Sequence, residues 1–403
     1  MKDRTSKMKK LMILGGGPNQ VPLIKAAKRI GVYVIVCDYR ESAPGVALAD
    51  DFRLVSIMDL EGVVRAAQEE QVDGVFTNSE PAMQVATDAA NRLGLPANDS
   101  SVIALLSSKA EFRRLQKENG FTAPASGAAS DLEEAKKLAS CMSFPLIVKP
   151  AASSGSRGVT KINSMEELDD AFSYAMRYTR NGLAIVEEFF VNRNADLLGG
   201  DIFVSEGEVV FWGLLSDVRD KKYFPLLPGG KRYPIALPEA QVDRIKEETS
   251  RIVKASGFRF GALNLEIMLG AAGEVFFVEI NPRNGGNLIP EELQVATGFD
   301  LFDASVRAAL GEKIPPFDDC GSCASANYLV HSRYGGKLNR VLFSAQLAPS
   351  VIAYVPDLRK GDPVEPFINA DKRVGTVFLK FDSVQERDEM LEEIEEHILV
   401  ELE

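Results

Sequence analysis

The sequence predicts an α/β protein that opens on a parallel sheet, continues into an α+β region built on hairpins, and closes in a smaller α+β segment. Three observations predict this. Over residues 1–100, short β-branched runs alternate with stretches of helical spacing, the pattern of a parallel sheet covered by helices. Over residues 202–280, apolar runs are joined through short glycine turns instead, which reads as hairpins. From Cys320 onward the chain is strand-rich and ends in an acidic helix.

The elements follow in order. Residues 11–14 form a strand, Gly15-Gly16-Gly17-Pro18 a turn, 21–30 a helix capped by Gly31, and 32–37 a second strand that leaves Asp38 at its carboxyl end. Helix 60–70, strand 74–77 and helix 81–93 make the next unit, closed by Gly94 and Pro96. Ser107 or Ser108 caps a helix running to Asn119, and the loop 120–126 follows. Strand 144–149, a loop of small residues 151–158 and strand 159–162 come next; Ser164 and Glu167 have capping-box spacing for helix 165–176. Residues 184–189 are a strand, and 202–204 with 209–215 a hairpin through Gly207. A proline-rich loop, 223–238, precedes helix 239–256, which Gly257 stops. Strands 263–269 and 275–280 pair through the turn 270–273, and the acidic helix 384–396 closes the chain with Met390, Leu391, Ile394 and Ile398 near one side for packing.

Charge narrows the chemistry. Forty-six basic and 58 acidic residues leave a net charge of −12, which argues against a nucleic-acid or anionic-membrane surface but not against a local basic pocket. With only His331 and His397, histidine bases and multi-histidine metal sites have little to draw on. No apolar run reaches the roughly 18 residues of a membrane span, and the four apolar residues 11–14 are too few for a secretory signal core. Four cysteines in 403 residues form no disulfide framework, so a reducing cytoplasm is the expected compartment.

Chemistry concentrates in a few stretches. In the second hairpin, Glu279 and Asn281 stand two apart on one strand and share a face, and pairing brings Glu266 beside them. Three hard oxygen donors suit Mg²⁺, which takes one or two protein carboxylates and leaves its other positions to water and phosphate. Arg283 lies one further step along, where it reaches a phosphoryl group. Lys149 ends an apolar strand just before Ser153, Ser154, Gly155, Ser156 and Gly158, small residues whose backbone can approach phosphate, although the order is not that of a Walker A motif. Glu187-Glu188-Phe189-Phe190 ends another strand, where a carboxylate and strand-edge backbone can read a purine. A competing class, an NAD-dependent oxidoreductase, would use the Gly15 to Gln20 turn with Asp38 on a ribose; Gln20 and Pro18 depart from its glycine fingerprint, and a tight turn presenting backbone N–H groups to a substrate anion is the plainer reading.

Taken in order, Lys109, Lys149 with 153–158, Glu187-Glu188-Phe189, Glu266 and Glu279-Ile280-Asn281-Pro282-Arg283 resemble the ATP-grasp superfamily over about residues 10–311. The resemblance implies a pre-ATP-grasp Rossmann-like domain over 1–105, an ATP-grasp domain over 106–311 with its lid near 115–187 and a central antiparallel sheet, and a C-terminal α+β region over 312–403. It implies that Lys109 and Lys149 contact ATP phosphates, that Glu187 takes the adenine amino group with backbone contacts from Glu188 and Phe190, and that Glu266, Glu279 and Asn281 hold Mg²⁺, with Mn²⁺ as the alternative ion. Arg283 would steady the transferred phosphoryl, with Lys149 as the second catalytic cation. The family's ribose-binding acid has no clear match, and Asp196 is the candidate.

The reaction so implied phosphorylates a carboxylate, which an amine then attacks, as in amino-acid ligases, carbamoyl-phosphate synthetase halves, glycinamide ribonucleotide synthetase and biotin carboxylase. A cytoplasmic ligase for small-molecule carboxylates and amines, amino acids foremost, is the expectation. Glycinamide ribonucleotide or carbamoyl-phosphate chemistry is the alternative, nucleic acid and membrane are not expected partners, and a homodimer is left open. Duller readings cover the rest: reduced thiols for Cys320 and Cys323, a structural or mouth-lining His331, and a solvated or anion-attracting basic face from Arg219, Lys221, Lys222, Lys231 and Arg232.

Overall fold

The computed structural model describes residues 8–151, 158–194, 197–219, 227, 229–318 and 323–403. The chain begins as an α/β unit: β1 (Lys10–Leu14), α1 (Val21–Arg29), β2 (Tyr33–Asp38), β3 (Asp51–Leu54), α2 (Leu60–Glu70), β4 (Gly74–Phe76) and α3 (Met83–Arg92). Its four strands lie in the order β3-β2-β1-β4, all parallel, with Leu11 opposite Val34 and Gly74. Both faces are covered by helices, so Leu11 to Leu14 are fully buried and read as a continuous apolar run. Edge strand β3 (DFRL), half-buried and half-charged, carries no run of that kind and escapes the sequence pattern.

Two short helices then lead away: α4 (Ser100–Ser107), N-capped by Asp99, and α5 (Lys109–Glu118), re-capped by Ser108. Beyond them, β5 (Ser126–Ala129), α6 (Leu132–Ala139), β6 (Leu146–Pro150), β7 (Thr160–Ile162), α7 (Leu168–Met176) and β8 (Ala184–Glu188) form a second, antiparallel four-stranded sheet in the order β5-β8-β6-β7. The capping-box expectation before α7 fails: residues Met165–Glu167 make a 3-10 turn, Ser164 caps nothing, and Glu167 accepts from the Asn163 N–H at 3.3 Å.

The largest sheet uses β9 (Leu198–Ser205), β10 (Glu208–Val218), β11 (Gly230–Tyr233), then, after helix α8 (Glu239–Ser256), β12 (Gly261–Leu269) and β13 (Val275–Asn281). Helices α9 (Ile289–Thr297) and α10 (Leu301–Ala309) follow, and the C-terminal segment adds β14 (Ala324–Val330), β15 (Gly336–Phe343), β16 (Val351–Pro356), β17 (Pro363–Val364), β18 (Gly375–Phe381), α11 (Val384–Glu392), α12 (Ile394–His397) and β19 (Ile398–Leu402). Eight strands run in the order β13-β12-β9-β10-β11-β14-β18-β16, so hairpins and C-terminal strands share one antiparallel sheet, while β17-β15-β19 makes a small separate one. The chain therefore ends on a strand, not on the acidic helix, although Leu391 and Ile394 bury against this last core with Met390 and Ile398 at its margin. Helix α10 returns to the first unit, where Phe302, Val306 and Ala309 pack with Leu11, Ile13 and Ile24. The fold is thus α/β with a parallel first sheet and antiparallel sheets after it. No helix among the described residues is long and apolar enough to cross a membrane.

Candidate functional site

Strands β12 and β13 pair with Glu266 opposite Glu279 and Asn264 opposite Asn281, but only through a register shift between Glu266 and Ile267: regular pairing from the turn, which sets Ile267 opposite Phe277, would place Glu266 opposite Val278. The Asn281 amide N–H donates to Glu279 Oε1 at 2.9 Å, leaving its oxygen, and Lys109, from the first turn of α5, reaches Glu279 Oε2 at 2.7 Å. Burial alone would raise the Glu279 carboxyl, but the Lys109 charge and hydrogen bond, with Asn281, bring it down to about 2. Glu266 has no such partner: burial, then repulsion from Glu279, pushes it up to about 7. Two half-buried acids stand face to face with Lys109 paired to one of them, and the donor set fits Mg²⁺. Among the described residues no group of three or more Asp, Glu, His or Cys side chains is placed to hold a metal ion by itself.

Opposite this hairpin lies the four-stranded sheet. Lys149, on β6, forms a buried ion pair with Glu187 on β8, both side chains being only 6% exposed. The second oxygen of Glu187 accepts from Arg113 Nε at 3.0 Å. Burial would raise Glu187, yet Lys149 and Arg113 together hold it below its ordinary range, while burial and the neighbouring Arg113 draw Lys149 down. Arg113 is one residue that no sequence pattern marked. From α5 it also donates to Gln116 Oε1 at 2.8 Å and to the carbonyls of Phe277 and Val278 at 3.2 and 2.9 Å, so one guanidinium joins the smaller sheet to β13. Its plane lies 4.8 Å from the Phe276 ring, which in turn contacts Phe190 at 4.7 Å.

The remaining residues expected to read a purine are only partly open. The Glu188 N–H is taken by the Ala125 carbonyl and the Phe189 N–H by that of Pro145, each at 2.9 Å, whereas the Phe190 N–H meets no acceptor among the described residues. Glu188 Oε1 accepts from the Ser143 N–H at 2.7 Å. Gly158 sits at φ +77 with Pro150 and Tyr178 where a Cβ would point, a position closed to other residues. Ser153, Ser154, Gly155, Ser156 and Asp196 lie outside the described residues, as do Lys221, Lys222 and Cys320.

The loop after β13 is fixed from three sides. Buried Asp201, on β9, accepts from the Gly285 N–H at 2.7 Å and from Asn264 Nδ2 at 2.8 Å, and a Cβ on Gly285 would fall 2.8 Å from both of those side chains. The Asn284 N–H donates to Asn78 Oδ1 at 3.0 Å, and the Asn78 N–H to Gln20 Oε1, also at 3.0 Å. Gln20, whose side chain spoiled a dinucleotide fingerprint, is therefore a buried strut between the first sheet and this loop. Asp38 is equally occupied: its oxygens accept from the N–H groups of Gly16 at 2.8 Å and Arg40 at 2.9 Å, so the carboxylate expected on a ribose in the oxidoreductase reading is spent on the turn itself.

Arg283 pairs with Glu80 at 3.2 Å, and Glu80 also takes Arg180 from the smaller sheet's domain at 2.9 Å. Glu80, unmarked by any sequence pattern, is where the three parts of the chain meet. Past Arg283, Asn287 (φ 52) and Leu288 (φ 59) are consecutive left-handed residues, a strained pair of the kind that clusters at functional loops. Beside them opens a pocket of about 320 Å³ lined by Gln20, Glu80, Arg283, Glu291 and Arg373 among others.

Other expectations resolve into structure. Arg219 and Lys231 both pair with buried Asp217, and Arg232 pairs with Asp388 at 3.0 Å, so these three form no open basic face. His331 stacks on Phe367 at 4.0 Å and bonds the Leu329 carbonyl at 2.6 Å, a structural histidine. The Cys323 thiol rests 3.6 Å from the Val295 carbonyl.

Comparison with known proteins agrees with this fold. Residues 24–97 match the ATP-grasp N-terminal domain family and residues 114–287 the D-ala D-ala ligase C-terminus family. A formate-dependent phosphoribosylglycinamide formyltransferase of Bacteroides thetaiotaomicron is 26% identical over 318 residues, covering 76% of this chain and 79% of that protein. The L-amino acid ligase of Bacillus licheniformis superposes with a TM-score of 0.82 at 19% identity, covering 99% of this chain and all of the other. The biotin carboxylase domain dimer of Hydrogenobacter thermophilus 2-oxoglutarate carboxylase, solved with MgADP, gives 0.73 at 18% identity over 93% of this chain and 87% of that one. No oxidoreductase is among these relatives. Parallel first sheet, hairpin acids and both family matches converge: the chain belongs to the ATP-grasp superfamily, whose ligases form carbon–nitrogen bonds and work with ATP and Mg²⁺.

Proposed function

We propose that this chain phosphorylates a carboxylate at the expense of MgATP and joins it to an amine, with amino-acid-sized substrates in the pocket beside Arg283. The observation that carries the reading is the lining of that pocket: two carboxylates, Glu80 and Glu291, and two guanidinium groups, Arg283 and Arg373, surround about 320 Å³, a volume and charge mixture suited to zwitterions. In this reading Lys109 and Lys149 attract the nucleotide phosphates, Glu187 with the backbone of Glu188 and Phe190 faces the adenine, and Asp196 takes the ribose. Glu266, Glu279 and Asn281 hold the metal, which when bound neutralises phosphate charge. Arg283 exchanges its Glu80 partner for the transferred phosphoryl and the acyl phosphate it becomes. Positioning and charge neutralisation carry such a reaction without a histidine.

A second reading, a phosphoribosyl substrate, is favoured by the formyltransferase relatives. Against it, three donors of the turn expected to cradle a sugar phosphate are used internally: the Gly15 N–H goes to the Cys37 carbonyl at 2.7 Å, that of Gly16 to Asp38 at 2.8 Å and that of Gln20 to the Gly17 carbonyl at 2.9 Å, which leaves those of Gly17 and Asn19 without an acceptor among the described residues. The test is phosphate release from MgATP with the L-amino acids singly and in pairs, with glycine plus phosphoribosylamine, with formate plus phosphoribosylglycinamide, and with bicarbonate. Release that requires a pair of amino acids is expected; release only with a phosphoribosyl compound would transfer the conclusion to the second reading.

A further inference from the structure

The pocket beside Arg283 contains one ionisable group that no other described residue partners. Arg283 is held by Glu80 at 3.2 Å and by the Asn284 carbonyl at 3.0 Å. Glu80 is further held by Arg180 at 2.9 Å, and Arg373 by Asp357 at 2.6 Å and Asn287 at 3.0 Å. Glu291, in the first turn of α9 and in the lining of the cavity, takes a hydrogen bond from its own backbone N–H but has no side-chain hydrogen bond or ion pair to another described residue, and it is half-buried. Its charged neighbours are acids: Asp201, which accepts hydrogen bonds from the Gly285 N–H and Asn264, and Asp300, engaged with Arg29.

A carboxylate left without a cation in a cleft where every other charge is paired is a receptor for a cation that arrives with the substrate. The nucleophile of the proposed reaction is such a cation, because an amine enters as an ammonium and must lose a proton before it can attack. We propose that Glu291 docks this ammonium and accepts its proton. This rests on the carboxylate–amine ligase reading above. The ammonium gives one proton to the Glu291 carboxylate; the free amine attacks the acyl carbon, the C–N bond forms, and the C–O bond to the phosphoryl group breaks with its electron pair leaving on phosphate. The second amine proton passes to that phosphate, giving HPO₄²⁻, and the Glu291 carboxylic acid returns its proton to solvent. Burial, then Asp201 and Asp300, raises the Glu291 carboxyl to about 7, a value matched to a proton acceptor working near neutrality.

The ordinary alternative is that Glu291 only complements the N-terminal dipole of α9. Glu291→Gln separates the two when nucleophiles of different charge are compared. Hydroxylamine is neutral at pH 7.5 and traps an acyl phosphate as a hydroxamate without needing an ammonium receptor; an L-amino acid amine needs one. With MgATP and each of the 20 proteinogenic L-amino acids as carboxylate, the ratio of peptide to hydroxamate formed is measured for wild type and variant. The expected result is a fall of about 30-fold or more in that ratio for Glu291→Gln, carried mainly by a higher KM for the amine, with Glu291→Asp recovering part of it. An unchanged ratio would overturn the role of Glu291 and leave the ligase reading standing. Absence of hydroxamate from the wild type with every carboxylate would overturn that reading, and this inference with it.

Discussion

Helix α9, which carries Glu291 into the substrate pocket, is pinned to the sheet by its neighbour Glu292, and the protonation state of that residue is open to measurement. Glu292 is fully buried; one oxygen accepts from Ser325 Oγ on β14 at 2.6 Å and the other has no partner. Arg387, also fully buried, is committed to Asp388 at 2.8 Å and to the Pro234 carbonyl at 2.9 Å. Burial therefore outweighs the attraction of Arg387 and raises Glu292 to about 8 from an ordinary value of 4.5. Because the native state binds the proton more tightly than the unfolded chain, the stabilisation is complete below the unfolded value and is lost as pH rises toward the folded one. Each pH unit inside that window removes about 1.4 kcal/mol, so the step from about pH 5.5 to about pH 7.5 removes about 2.5 kcal/mol through this group alone.

Glu292→Gln has nearly the same shape, keeps an oxygen for Ser325 and does not titrate. All other groups are shared with wild type and cancel in the difference. Urea unfolding followed by the fluorescence of Trp212, the single tryptophan and a resident of the same sheet, should show the variant gaining about 2.5 kcal/mol on wild type between about pH 5.5 and about pH 7.5. A difference that is constant with pH, or that turns against the variant at the higher pH, would mean that Glu292 is ionised against Arg387, and the reasoning from burial would fail.

Other consequences can be checked alongside. Glu279→Gln should lower kcat/KM for MgATP by on the order of 100-fold or more, beyond what loss of an outer-sphere contact to a metal gives, while thermal unfolding moves little; wild-type turnover would remove Glu279 from the metal set. Arg113→Lys replaces a fork that bonds Glu187, Gln116 and two carbonyls by a point charge that cannot span them, so we expect a loss of about 2–4 kcal/mol in urea and a raised KM for ATP. Gly285→Ala drives a methyl against Asn264 and Asp201, and should cost about 1–3 kcal/mol and displace Arg283, seen as a larger fall in kcat than in ATP affinity.

How far the sequence could be read depended on whether a residue's partners lie nearby in the chain. The β12–β13 hairpin was legible because strand alternation places Glu279 and Asn281 on one face and the turn pairs the two strands, whereas the register shift between Glu266 and Ile267 that sets Glu266 opposite Glu279 left no mark in the sequence pattern. Helix α8 was legible to the residue because periodicity and a left-handed glycine, Gly257, mark its end. Helix α4 was invisible because Asp99 caps it and Ser108 caps its successor, so two helices resemble one approach to a helix start. Strand β19 (ILVEL) follows an acidic helix and pairs only with β15, more than fifty residues back, which no local pattern announces. Arg113 and Glu80 were missed for the same reason: their partners, Glu187 and Arg283, are 74 and 203 residues away.

These long-range partners also suggest how the site changes state. Before nucleotide arrives, Lys149 is held by Glu187, Lys109 by Glu279, and Arg283 by Glu80. Each cation expected to meet a phosphate is thus stored on a carboxylate, which keeps buried positive charges paired until a polyanion replaces the partner. The acids so released have uses of their own. On the proposed reading Glu279 would serve the metal that accompanies ATP, while Glu187 keeps Arg113 and Glu80 keeps Arg180. Binding therefore exchanges ion pairs rather than creating unpaired charge, and the remaining unpaired acid of the pocket, Glu291, is matched only when the second substrate brings its ammonium. On this account the order of charge compensation sets the order of events: nucleotide and metal first, then the carboxylate to be activated, and the amine last.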